Sequence, residues 1–83
     1  MAKRIIWTDS AKSDVRAIDQ RTALYILHGL ARFVLSNDGD VKQLHGIDPP
    51  EFRLRVGNYR IRFHDHRGAI EILTVKHRRE AYR

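Results

Sequence analysis

The sequence predicts one α+β domain of order β-α-α-β-β-β, with two N-terminal helices packed on a small, mainly antiparallel, twisted sheet. Three observations predict it. Apolar residues recur with helical period between Arg21 and Leu35. Two runs, Phe52–Val56 and Tyr59–His64, alternate apolar and basic residues around Gly57-Asn58, the signature of a hairpin. A near-continuous apolar run, Ala69–Val75, reads as a strand inside the sheet. The chain has 83 residues, so residues 1–83 form a single domain with one small core.

The elements follow in order. Arg4–Trp7 is short, apolar and β-branched, and reads as the first strand. Thr8, Asp9 and Ser10 offer N-cap oxygens for a helix whose apolar side is Ala11, Val15 and Ile18, with Asp14 near the positive end of its dipole. Asp19 can cap the second helix. Its core stripe is Ala23, Ile26, Leu30, Phe33 and Val34, widened by Leu24, Leu27, Ala31 and Leu35, so the helix is expected to face mostly inward. Gly29 costs about 1 kcal/mol in mid-helix relative to Ala, and points to close packing. Ser36-Asn37-Asp38-Gly39-Asp40 ends the helix with turn residues. Val41–Asp48 reads as a connection with Leu44 as a core contact, and Pro49-Pro50 cannot continue a helix or a central strand. Arg67-Gly68 marks the turn before the last strand, and Lys76–Arg83 reads as a polar tail with one aromatic, Tyr82.

Charge divides the chain. Residues 1–52 hold seven Lys/Arg against seven Asp/Glu, whereas residues 53–83 hold nine against three, so all of the net +6 lies in the last third. One-sided basic charge is the footprint of a polyanionic partner. With no cysteine there is neither a disulfide framework nor a zinc–thiolate cluster. No apolar run approaches the roughly 20 residues that span a bilayer. Ile5-Ile6-Trp7 is too short for a signal-peptide core, so a cytoplasmic protein without membrane contact is expected.

A hairpin closed at Gly57-Asn58 sets Val56, Leu54 and Phe52 opposite Tyr59, Ile61 and Phe63 on one sheet face. Arg55 then lies opposite Arg60, and Arg53 opposite Arg62, on the other. Directly opposed like charges destabilise a strand pair. Four arginines in one patch therefore accept a cost that an anionic ligand would relieve. The planar guanidinium suits phosphate because it binds two oxygens at once and stays charged. A slip of one residue would drive the arginines into the core, which desolvation forbids. After the last strand, His77 is the side chain best suited to move a proton near neutrality. Tyr82 can stack on a base or orient a proton. His64 and His66 flank Asp65 in a turn, but neighbouring turn residues rarely supply three ligands to one ion, and no metal site is expected. There is no Gly-rich phosphate loop and no paired-carboxylate spacing.

Lys42-Gln43-Leu44-His45-Gly46, FRLRVGNYRIRF from Phe52 to Phe63, and VKHRREAYR from Val75 to Arg83 together resemble the RelE/ParE toxin superfamily, as do Trp7, Ala11 and the two helices after them. The likeness covers essentially the whole chain. It implies the toxin of a type II toxin–antitoxin pair: a ribosome-dependent endoribonuclease that cleaves mRNA in the A site without metal or other cofactor. In that chemistry the ribose 2′-hydroxyl attacks the neighbouring phosphate, and basic side chains stabilise the charge that develops. By position, Arg53 and Arg55 match the basic residues before the hairpin, Arg60 the arginine after the turn tyrosine, and Arg78 and Tyr82 the C-terminal arginine and tyrosine. The catalytic set is thus Arg53, Arg55, Arg60, His77, Arg78 and Tyr82; the RNA-binding set is Arg53, Arg55, Arg60, Arg62, Arg79 and Arg83. The best-known RelE pattern has lysines where this chain has Arg53 and Arg55. Arginine is a poor general base, so proton transfer falls to His77, to Tyr82, or to positioning of the 2′-hydroxyl alone. The implied partners are a cognate antitoxin in a hetero-oligomer, the ribosome with its rRNA, and mRNA. Two other readings share the charge: a ParE-like inhibitor that binds DNA gyrase without catalysis, and a plain nucleic-acid-binding module.

Overall fold

The computed structural model describes residues 3–81. The order is β1 (Arg4–Trp7), α1 (Asp9–Arg16), α2 (Gln20–Ser36), β2 (Asp40–Leu44), β3 (Glu51–Val56), β4 (Tyr59–His66), β5 (Ala69–His77) and α3 (Arg78–Ala81). The five strands form one sheet, β1-β5-β4-β3-β2, in which only the β1–β5 pair is parallel. This is the α+β fold expected, with one strand more and with the expected polar tail beginning instead as the end of β5 and the short helix α3. Asp40–Leu44, read as part of a connection, pairs along β3 from Asp40–Arg55 to Leu44–Glu51. It is an edge strand, exposed over four of its five residues, so it carries no apolar alternation that would announce it.

The helix side of the sheet makes the core. Leu54, Ile61, Phe63, Ile70, Ile72 and Val75 from the strands meet Ala11, Ile26 and Leu30 from the helices, all at 2% exposure or less. Phe63 is stacked on its cross-strand partner Phe52 and tilted against Phe33 of α2. Gly29 explains how α2 comes so near: a Cβ built there would lie 2.7 Å from Val56 Cγ1. The inward stripe of α2 is narrower than its sequence implies. Ile26, Gly29 and Leu30 are buried, but Leu24 is 49% and Leu35 71% exposed, because only one side of the helix touches the sheet.

α1 is tied to β5 by polar groups. Thr8 is its N-cap, accepting from Ala11 N at 3.2 Å while its hydroxyl donates to Ile72 O at 2.7 Å. Asp14, expected only to complement the helix dipole, does more. It accepts from Val75 N and from Lys76 Nζ, each at 2.9 Å. It thereby supplies an acceptor on the stretch of β5 that runs past the end of β1. Asp19 caps α2 through Thr22 N, and these hydrogen bonds hold its carboxyl below the ordinary 3.8. None of the described helices is long and apolar enough to cross a membrane.

Candidate nucleic-acid interface

The hairpin register is the one its turn dictates. Gly57 takes a φ of +58°, as the first position of a tight hairpin turn requires, and Phe52–Phe63, Arg53–Arg62, Leu54–Ile61, Arg55–Arg60 and Val56–Tyr59 face each other. Alternation then puts Arg53, Arg55, Arg60 and Arg62 together on the side away from the helices. The neighbouring strands extend the patch: Lys42 of β2 is the partner of Arg53, and Lys76 of β5 is the partner of Arg60. Six cations from four consecutive strands, spaced about 5 Å apart, thus share one face.

They are not equivalent. Arg60 is the most central, flanked by Arg55 on one side and Lys76 on the other, and only 7% exposed. A guanidinium stays ionised even when buried, so its field is weakly screened there. Arg53 is half-buried and Arg55 exposed. Arg62 is held by Glu51 through an ion pair of 2.8 Å. Lys76 is paired with Asp14, and this hydrogen bond and charge raise its pKa above the ordinary 10.5, fixing it as a cation. The face therefore departs from the single sign expected: Glu51 neutralises one end, and Asp40 is the β2 partner of Arg55. The centre of the patch is Arg53, Arg55 and Arg60, and beside Arg60 stands Lys76 with its counter-charge Asp14. Beside this centre, Thr74 Oγ1 and Arg62 Nε, on residues that face each other, are buried with no hydrogen-bond partner among the described residues. Such atoms are what water or a ligand oxygen satisfies.

The tail residues divide. His77 does not join the arginine face. Its partner is Tyr59, against which it packs edge-on at 5.3 Å, and that pair continues the helix-side row of Ile61 and Val75. Its Nδ1 accepts from Arg79 N at 3.2 Å. Alternation within β5 does not show this, because the face on which His77 falls depends on the β4–β5 register, which shifts between Arg62 and Phe63. Arg78 and Arg79 open α3 and are exposed, with Arg78 N donating to Asn58 O of the hairpin turn at 2.7 Å, so the tail starts against the hairpin. Tyr82 and Arg83 lie outside the described residues. Sequence reasoning missed Lys76, whose position opposite Arg60 needs the β4–β5 register.

Farther along the same face, His64, His66 and Glu71 meet. Glu71 Oε1 is 3.4 Å from His64 Nδ1 and 3.2 Å from His66 Nε2. Hydrogen bonds from His66 and His64 hold the Glu71 carboxyl below its ordinary 4.5.

Solved structures share this architecture. The archaeal RelE–RelB complex from Pyrococcus horikoshii OT3 superposes with a TM-score of 0.75 at 20% identity, over 94% of this chain and 97% of the other. The RelB–RelE antitoxin–toxin complex from Methanococcus jannaschii gives 0.74 at 23% identity, over 93% and 94%. The toxin–antitoxin complex RelBE2 from Mycobacterium tuberculosis gives 0.69 at 22% identity, over 93% and 99%. No curated protein matches significantly by sequence. The family model of the ParE toxin of type II toxin–antitoxin systems matches residues 5–82, nearly the entire chain. The fold, the coverage and the family match agree: the chain belongs to the ParE toxin family, within the RelE/ParE superfamily of type II toxin–antitoxin toxins.

Proposed function

We propose that this toxin is a ribosome-dependent endoribonuclease that cleaves mRNA in the A site by attack of a ribose 2′-hydroxyl on the adjacent phosphodiester, forming a 2′,3′-cyclic phosphate as the bond to the 5′-oxygen of the next nucleotide breaks and that oxygen takes up a proton. The observation that carries this reading is the buried Arg60 guanidinium set between Arg55 and Lys76 on the sheet face away from the helices. As the phosphate passes to a five-coordinate transition state, negative charge grows on its non-bridging oxygens. Fixed cations that need no reorganisation stabilise that charge, a contribution on the order of 10²–10³ in rate per donor. Arg53, Arg55 and Arg60 fill this role. Arg62 and Lys42 hold the flanking backbone, and Arg78, Arg79 and Arg83 follow the RNA beyond the sheet. None of the sheet cations serves as a base, because arginine does not deprotonate and Asp14 keeps Lys76 protonated. His77 faces the other way. Activation of the 2′-hydroxyl therefore rests on positioning in the ribosomal A site, with Tyr82 the proton-handling group on this chain. A cognate antitoxin would neutralise the toxin in a hetero-oligomer, as in the RelB-bound relatives, and the exposed Leu24 and Leu35 of α2 give its apolar side chains a place to bind. The ribosomal target places the protein in the cytoplasm.

Expression in bacteria followed by mapping of mRNA 5′ ends tests the proposal. Cuts inside codons of translated messages, lost in Arg60→Gln with the circular dichroism spectrum preserved, are expected. The ParE family match favours one other reading, a non-catalytic inhibitor of DNA gyrase. Intact mRNA with loss of plasmid supercoiling would establish that reading and remove the first.

A further inference from the structure

The His64–His66–Glu71 cluster takes no part in the phosphate chemistry. The reason it exists is a β-bulge. From Tyr59–His77 to Arg62–Thr74 the β4–β5 register is regular, but Phe63 then faces Ile72, so Leu73 is an extra residue on β5. That single insertion turns Glu71 onto the face of the even-numbered β4 residues and sets it opposite His64. In a regular ladder Glu71 would have faced Asp65 on the other side. His64 and His66, two apart on one strand, point the same way.

We propose that His64 Nδ1, His66 Nε2 and Glu71 form a binding site for a late first-row divalent cation of the zinc type. All three ligand atoms lie within 4.8 Å of one another. Metal–ligand bonds of about 2.0–2.2 Å at tetrahedral angles separate neighbouring ligands by roughly 3.3–3.5 Å. The two nitrogen–oxygen separations here, 3.4 and 3.2 Å, lie close to that edge length. Two imidazoles with one carboxylate select zinc, cobalt, nickel or copper over magnesium or calcium, which favour oxygen ligands. The side chains of His66 and Glu71 are 55% and 33% exposed and that of His64 is 21% exposed, so an ion can enter from solvent. Three protein ligands leave a fourth position for water or for a donor from a bound partner. An ion there would clamp β4 to β5 at the bulge and add positive charge at one end of the arginine face.

The test uses the full-length chain without a histidine tag, titrated with Co²⁺ and competed with Zn²⁺. Expected are one equivalent bound with the visible absorption of tetrahedral Co²⁺, its displacement by Zn²⁺, and a thermal midpoint raised by several degrees with Zn²⁺. His64→Gln, His66→Gln and Glu71→Gln should each weaken binding by about tenfold or more, whereas His28→Gln and His45→Gln should not. Should a variant fail to fold, imidazole resonances of the unaltered chain decide. Zn²⁺ must perturb those of His64 and His66 before those of His28, His45 and His77. Undiminished binding in the His64→Gln/His66→Gln double variant, no Co²⁺ absorption, or perturbation of other histidines first would overturn the site.

Discussion

The two faces of the β3–β4 hairpin are made of alternate residues of the same twelve-residue stretch, yet they obey opposite rules. On the helix side Leu54, Ile61 and Phe63 are packed at 1% exposure or less, and each gains from its neighbours. On the other side Arg53, Arg55, Arg60 and Arg62 face one another as like charges, and the sheet tolerates the repulsion because the packed face holds the register. Stability is concentrated on one face and the proposed binding on the other. Substitutions should therefore separate the two properties cleanly.

The largest effect is expected from Phe63→Ala. Removing a fully buried ring that contacts Phe33 and Phe52 should cost about 3–5 kcal/mol in urea unfolding. A loss of that size is a large part of the stability of any small domain, and toxicity should disappear with the fold. Next is Gly29→Ala. Its new methyl would meet Val56, and overpacking of this kind costs about 1–3 kcal/mol, against which the better helix propensity of alanine returns up to about 1. The double variant Gly29→Ala/Val56→Ala should relieve the clash; additive losses in the two would show that helix and strand are not in the contact described.

The binding face should respond in the opposite direction. Lys42→Glu places an acid opposite Arg53 on an exposed edge strand, and should raise stability by roughly 0.2–1 kcal/mol while weakening RNA binding. The salt dependence of binding should become shallower by about 0.7 in the log–log slope if Lys42 meets one phosphate of a single strand. A destabilised variant with unchanged RNA affinity would break the contrast between the faces. The smallest effect concerns the Asp14–Lys76 pair, which is partly solvated. Because Asp14 raises the Lys76 pKa above 10.5, its stabilisation is fully present below that pH and fades as pH rises through the folded-state value. The stability difference between wild type and Lys76→Met should therefore be constant at neutral pH and shrink only in strongly alkaline solution, as followed by thermal unfolding.

Much of this was legible in the chain itself. The hairpin pairs follow from Gly57-Asn58 and alternation alone, since a slip of one residue would turn every arginine toward the core. A cap among Thr8, Asp9 and Ser10, the cap at Asp19 and the centre of the buried face of each helix follow from spacing. The edge strand β2 was not legible, because an exposed strand beside a charged neighbour needs no apolar rhythm. Nor was the exposure of Leu35, since a helix pattern shows which residues are apolar but not how wide a surface they will meet.

By itself, then, the sequence determined the α+β architecture, the hairpin register and the gathering of arginines on one face, because each depends on local periodicity and on the cost of burying charge. Only the tertiary structure decided what surrounds them. The β4–β5 register brought Lys76 beside Arg60 and left His77 on the helix side, and the docking of α1 paired Asp14 with Lys76. A one-residue bulge turned Glu71 toward two histidines. These are long-range pairings between segments whose individual patterns carry no record of one another.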